Sequence, residues 1–375
     1  MKSLKETIQA LNSSNLKEEA SFLTEPTPLS TLKELYKKTL FKKTLFGIFL
    51  LIFLFLAGCI SLLVGSGVFN PFTLFFSQGE YSGLIFKLRM VRIGSAIVAG
   101  ASLGLTGAIM QTVLRNPLAS PFTLGISHGA AFGASFAIIV LGAGKFHASI
   151  TAGLSISSYF LVVLFAFLFA FLGTLLILFL SFVRNLKPEA IILSGVALGS
   201  LFTSATMILQ YFGEDFQVAA TLFWTFGDLG KAGLQELKIM GFFFLILFPF
   251  CLFLSWKLNA LLWGDEIAQS LGIEVKKLRL ISLLISAFLV SVCTSFLGII
   301  GFIGLISPHI VRLLIGNDHR FLLPYSALTG ALLLTLSDLL SRIILSPHTL
   351  PVGVITTFLG APLFFILLIR KNRSF

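Results

Sequence analysis

The chain has 375 residues, 56% of them hydrophobic and 11% charged, with 41 Phe and a mean hydropathy of +0.99. Soluble domains carry about 25% charged residues, so one water-soluble core is excluded. A net charge of +11 would suggest nucleic acid in a soluble protein. Here Lys and Arg sit at the ends of apolar runs, which excludes that partner and fits a lipid bilayer.

A helix needs about 20 apolar residues to cross the hydrocarbon layer, so this length allows roughly ten crossings. Met1 to Leu40 reads as a polar tail with Pro26 and Pro28 in its middle. Within it, Leu29 to Leu40 reads either as an amphipathic helix on the membrane surface or as plain tail. The tail is polar, and the first apolar run lies too far from the start for a cleaved signal. Residues 41–375 read as one transmembrane domain.

The first span is expected over Thr44–Gly65, entered from the cytoplasmic side because Lys37, Lys38, Lys42 and Lys43 precede it. Asn70 and Pro71 mark an outer turn. The second and third spans read as Ile93–Leu114 and Phe122–Leu141, separated by Arg115-Asn-Pro-Leu-Ala-Ser-Pro121, where two prolines stop helix growth. The fourth and fifth read as Tyr159–Phe182 and Ala190–Phe212, with Arg184 and Lys187 inside between them. Gln217–Phe226 is too short to span and reads as a re-entrant or surface helix.

The sixth span is Leu237–Leu258, followed by a cytoplasmic stretch over Leu261–Lys277. Leu278–Leu297, Ile299–Ile315, Leu322–Leu345 and Val352–Ile369 complete the set, with Arg370, Lys371 and Arg373 anchoring the last end inside. The expected architecture is all-α and polytopic, with both termini cytoplasmic. Arg89, Arg92 and Arg342 then fall on the outer face, against the positive-inside rule.

Gly100, Gly104 and Gly107, and Gly125, Gly129 and Gly133, recur at spacings that let helix backbones approach closely. Leu103-Gly-Leu-Thr-Gly107 echoes Leu297-Gly-Ile-Ile-Gly301, as an inverted repeat would. No nucleophile, paired carboxylate or metal-ligand spacing appears, so no enzyme activity, cofactor or bound metal is expected. Cys59, Cys251 and Cys293 lie in apolar runs and read as small core residues.

A few polar groups sit where lipid disfavours them. His128 reads as a core histidine or a cargo contact. Asp338 and Arg342, four apart, share a helix face and suit an ion pair. Arg89 and Arg92 read as interfacial snorkelling groups or as a docking surface for acidic side chains. In Gly264-Asp-Glu-Ile-Ala-Gln-Ser-Leu-Gly-Ile273, the acidic residues suit a helix's first turn and Ile267, Leu271 and Ile273 form an apolar edge. That pattern fits a solvated connector or a coupling helix seated on a motor subunit. Gly301-Phe-Ile-Gly-Leu-Ile-Ser-Pro-His-Ile-Val-Arg312 is an apolar run broken by Pro308, suited to lining a passage.

Several motifs occur together and in order: Arg115-Asn-Pro-Leu-Ala119 with Gly125-Ile-Ser, Gly264 to Gly272, Gly301-Phe-Ile-Gly-Leu-Ile, Pro308-His-Ile-Val-Arg312, Asp318-His-Arg320, and Leu350-Pro-Val-Gly353 with Gly360-Ala-Pro362. From Leu45 to Arg373 the chain resembles the FecCD permeases, membrane subunits of type II ABC importers for iron-siderophore complexes, haem and cobalamin. The resemblance implies a ten-helix permease in a bacterial cytoplasmic membrane, paired with an identical or related second permease. It implies two cytoplasmic ATP-binding subunits and an extracytoplasmic substrate-binding protein. Arg89, Arg92 and Arg342 match the arginines that receive the binding protein's carboxylates. Gly264, Asp265, Glu266, Ala268, Leu271 and Gly272 match the ATPase-coupling loop. Asn116, Pro117, Gly125, Trp224, Pro308 and His309 match passage or gate positions.

The sequence departs from the family pattern at Val91, where Pro is usual, at Ser120, where an acidic residue is usual, and in its long tail. The expected cargo is an iron(III)-siderophore, with cobalamin, haem or a nickel or cobalt chelate as alternatives. A gradient-driven secondary transporter is the competing class, for which Asp338 is the one candidate carboxylate.

Overall fold

The computed structural model describes residues 29–64, 80–121, 123–143 and 156–370. Most of the tail expected over Met1–Leu40, the turn at Asn70 and Pro71, the start of the third span at Phe122, and the anchors Lys371 and Arg373 lie outside the described residues.

Among the described residues the regular structure is helical, apart from one isolated bridge between Phe226 and Ile299. The helices are α1 (Leu29–Leu63), α2 (Glu80–Val113), α3 (Ile126–Ser135, continued by a π turn over Phe136–Val140), α4 (Ile156–Phe182), α5 (Pro188–Phe212), α6 (Asp215–Thr225) and α7 (Leu234–Phe253). They continue as α8 (Ser255–Leu261), α9 (Asp265–Ser270), α10 (Val275–Leu297), α11 (Ile303–Ile315), α12 (His319–Ile343) and α13 (Val352–Arg370). Seven are long and apolar enough to cross a membrane, and Ile126–Val140, Ile303–Ile315 and Val352–Pro362 are shorter apolar helices. These occupy the ten positions read from hydropathy.

By internal contacts the chain divides into residues 1–49 and 50–375. Residues 29–40, read as a short amphipathic helix or as plain tail, are helical and form the first turns of the 35-residue helix α1. No Gly or Pro interrupts Leu29–Phe46, so nothing local ends the helix at Leu40. The second span also starts earlier than hydropathy placed it, at Glu80. Val91, standing where the family pattern has Pro, keeps its backbone N–H and lets α2 run unbroken.

The core of the larger unit is built on α2, whose 18-residue apolar window is 83% buried. A Cβ on Gly104 would lie 2.1 Å from the Ser326 carbonyl oxygen of α12, and one on Gly107 1.8 Å from the Gly304 oxygen of α11. Only hydrogen fits there, so the small-residue spacing is a packing seam with named partners. Pro308 lacks the N–H that would bond the Gly304 carbonyl, and Gly107 approaches that same oxygen. Gly133 of α3 rests likewise on the Phe165 oxygen of α4, where its Cβ would lie 2.2 Å away. The two echoing segments differ in local structure. Leu103–Gly107 is helix interior in α2, whereas Leu297–Gly301 is the end of α10 and the extended connection after it.

Candidate functional site

Three polar assemblies interrupt the apolar bundle. The first surrounds the N-terminal part of α2. Asp338, 1% exposed, lies between Arg92 Nε at 2.7 Å and Arg342 Nε at 3.1 Å. Arg92 Nη2 reaches Asp228 at 3.2 Å. Arg342 donates to the Ser61 and Val64 carbonyls, each at 3.0 Å, and to the Ser61 hydroxyl. Arg89 donates to the Leu62 carbonyl at 2.7 Å. These carbonyls close α1, where unpaired oxygens and the helix dipole attract cations.

Arg89, Arg92 and Arg342 therefore come together, and with Leu88, Leu229, Gly230, Ala232 and Thr349 they line a cavity of about 260 Å³. The expected Asp338–Arg342 pair forms, with Arg92 as a third member. Sequence reading did not supply Ser61 or Asp228, because both contacts are long-range.

The second assembly fixes α6. The helix opens on a capping box between Glu214 and Gln217. At its other end Lys231 Nζ donates to the carbonyls of Phe223, Trp224 and Phe226 at 3.2, 3.0 and 2.9 Å. Burial pushes the Lys231 ammonium down to about 8, with Asp228 opposing the shift. The connection after α6 bonds to both α10 and α13: Asp228 N–H donates to the Leu297 carbonyl and Gly353 N–H to that of Gly227, each at 2.9 Å. Trp224 is 9% exposed and lies against this knot.

The third assembly lies at the C-terminal end of α2. Gly264, at φ +114°, opens α9, a conformation that favours glycine. Asp265 accepts from Arg115 Nη2 at 2.7 Å and from Arg279 Nη2 at 3.1 Å. Arg279 is 2% exposed and also donates to the Val113 and Leu186 carbonyls at 3.1 and 3.0 Å. Ala268 is fully buried, while Trp263, Ile267 and Leu271 are 75%, 47% and 65% exposed at four-residue spacing. Glu266 and Gly272 are exposed beside them.

Charge placement alone marks Arg279 as one more basic residue at the start of α10, after Lys276 and Lys277. A better signal was available: it shares the buried α10 face with Val275, Leu278, Ser282, Leu283 and Ser286.

Next to this assembly, His319 N–H donates to Asn259 Oδ1 at 2.8 Å, and the imidazole joins Asn259 Oδ1 to Thr112 Oγ1. Asp318 caps α12 and pairs with Arg320, which lies over Trp256. Burial pushes the Asp318 carboxyl up, but hydrogen bonds from Arg320 and Asn259 outweigh it and hold the group at about 2.

The passage candidates are dispersed. Asn116 accepts from Leu118 N–H at 2.9 Å in a turn after α2, with Pro117 exposed beside it. Gly125, at φ +66°, opens α3 against α5. Pro308 and His309 are buried in α11. His128 faces an open cavity of about 360 Å³ with Gly195, Gly199, Ser200, Thr203 and Ser204. No group of three or more His, Cys, Asp or Glu is placed to hold a metal among the described residues.

The FecCD transport family matches residues 50–370. The chain is 48% identical over 344 residues to a Methanocaldococcus jannaschii protein named as an ABC transporter permease, covering 90% of this chain and 98% of that one. It is 36% identical over 297 residues to an Fe(3+)-citrate import system permease of Bacillus subtilis, covering 79% and 84%. It is also 36% identical over 331 residues to a vitamin B12 import system permease of Vibrio cholerae, covering 87% and 94%. Among solved structures it resembles an inward-facing metal-chelate type ABC transporter, with TM-score 0.73, 32% identity, and 89% and 99% of the two chains covered.

The protein is thus a multi-pass membrane permease of the ABC importer class. It belongs to the FecCD transport family. Its relatives are transport proteins rather than enzymes, and membership removes the gradient-driven alternative.

Proposed function

We propose that this permease carries an iron(III) chelate across the cytoplasmic membrane, with both termini on the cytoplasmic side. ATP hydrolysis by two partner subunits drives it. A second permease, identical or related, completes the passage, and an extracytoplasmic binding protein delivers the cargo. The tail, residues 1–40, precedes the permease domain, residues 41–375. The observation that carries the reading is the polarity of α2: the three-arginine cavity at its start and α9 fastened near its end. Arginines suit carboxylates of a docking protein. The exposed Trp263, Ile267 and Leu271 suit a groove on an ATP-binding subunit.

Asn116, Pro117, Gly125, Trp224, Pro308 and His309 are the proposed passage and gate positions, with α6 as the moving element held by Lys231. The iron-citrate relative and the metal-chelate neighbour support the cargo. The vitamin B12 relative, equally identical, supports cobalamin as the second reading.

Purified transporter in vesicles tests both levels. Vanadate-sensitive uptake of radiolabelled iron(III)-citrate, unaffected by excess cobalamin, is expected, and cobalamin uptake instead would replace the cargo. Arg342 is 5% exposed and Arg89 lies nearer the surface, so the docking test uses Arg89→Glu. Binding-protein association should slow by roughly tenfold and lose salt dependence. Unchanged docking would remove these arginines from the interface.

A further inference from the structure

We infer that Arg279 is the positioning residue that carries motion of α9 into α2. The inference rests on the proposal that α9 contacts an ATP-binding subunit. Arg279 sits in the second turn of α10, 2% exposed, and its three nitrogens point to three different segments. Nε donates to the last residue of α2, Val113, at 3.1 Å. Nη1 donates to Leu186 at 3.0 Å, in the loop between α4 and α5. Nη2 donates to both carboxylate oxygens of Asp265, in the first turn of α9, at 3.1 and 3.3 Å.

The Leu186 carbonyl is presented by a left-handed turn, with Asn185 at φ 56° and Leu186 at 52°. Arg115, just after α2 and also left-handed at φ 47°, grips Asp265 a second time at 2.7 Å.

This geometry leaves α9 little freedom to move alone. Sliding away from Arg279 would strand a desolvated guanidinium beside two carbonyls, which a buried site resists. Moving with Arg279 displaces the end of α2 and the loop before α5. The α2 backbone is locked to α11 and α12 at Gly104 and Gly107, so displacement at Val113 is delivered along a stiff element. The same helix carries Arg92, bonded to Asp338. A lysine's three donors diverge from one nitrogen with no planar fork, so it cannot span the Val113 and Leu186 carbonyls and the Asp265 carboxylate from the separate positions that the guanidinium nitrogens occupy.

The experiment uses the assembled transporter with spin labels at Ser270→Cys, exposed on α9, and Leu118→Cys, exposed after α2. In the parent the label separation should agree within roughly 2 Å between nucleotide-free and vanadate-trapped states, because both ends move together. Arg279→Lys should retain the ATP-binding subunits and ATP hydrolysis, and the separation should become nucleotide-dependent in Arg279→Lys and in Asp265→Asn. Transport of iron(III)-citrate per ATP should fall roughly tenfold, and the double variant should be no worse than the stronger single one.

A separation that stays fixed in both variants, or hydrolysis that falls in parallel with transport, overturns the joint. Should Arg279→Lys fail to accumulate, Asp265→Asn decides, because that carboxylate is a third exposed and the change keeps its shape. Ile267→Glu is the separate arm. It should release the ATP-binding subunits, and retained binding there refutes the contact reading rather than the joint.

Discussion

Asp338→Asn is the sharpest probe of the α2–α12 seam. The carboxylate lies 2.7 Å from Arg92 Nε and 3.1 Å from Arg342 Nε and is 1% exposed. At an effective dielectric of about 20, each pair of charges roughly 4 Å apart gains about 4 kcal/mol. Desolvation of three ions offsets much of that gross attraction. The substitution does not restore the offset. It leaves two guanidinium groups facing one neutral amide, one of them still fixed to the Ser61 and Val64 carbonyls.

Removing one partner of a buried ion pair costs about 3–5 kcal/mol, and this triad belongs in that range. Thermal unfolding in detergent, followed by intrinsic fluorescence, should show a midpoint lowered by roughly 5–10 °C. Lys276→Ala is the control, since Lys276 is exposed and donates to Asn185 Oδ1 at 2.8 Å. It should change stability by no more than about 0.5 kcal/mol. Equal midpoints for the two variants would refute the assignment of Asp338 as a charged buried hub.

Two further outcomes follow from the packing and from the knot after α6. Gly107→Ala places a Cβ 1.8 Å from the Gly304 carbonyl oxygen, a backbone atom that no rotamer change can move. Overpacking of this kind costs about 1–3 kcal/mol or more, so membrane accumulation should drop sharply, and a parental yield and midpoint would contradict the seam. Lys231 falls from its usual 10.5 to about 8 when folded, so between those values the unfolded chain binds more protons and stability rises with pH. The midpoint difference between the parent and Lys231→Met should therefore grow in the parent's favour from pH 8 to 10, and a flat difference would show that the ammonium is not desolvated.

The sequence by itself determined the solvent of this protein, the number and order of its apolar helices, and its family. Those properties are local: hydropathy over about 20 residues, charges at run ends, and short motifs with fixed spacing. It also marked Arg89, Arg92 and Arg342 as anomalous and paired Asp338 with Arg342, because four residues along a helix are neighbours in any tertiary setting. It misjudged where α1 and α2 begin, since hydropathy reports the lipid boundary and a helix continues past it until some residue stops it.

What only the tertiary structure decided was the partner of each polar group. Arg92 meets Asp338 across 246 residues of chain, Arg342 meets Ser61 across 281, and Arg279 meets Val113 across 166. The face that Arg279 shares with Val275, Leu278 and Ser282 marks it as pointing inward, but nothing local names the three segments that it ties together. A buried charge must find compensation wherever the fold brings acceptors within reach, and that reach is set by the packing of whole helices.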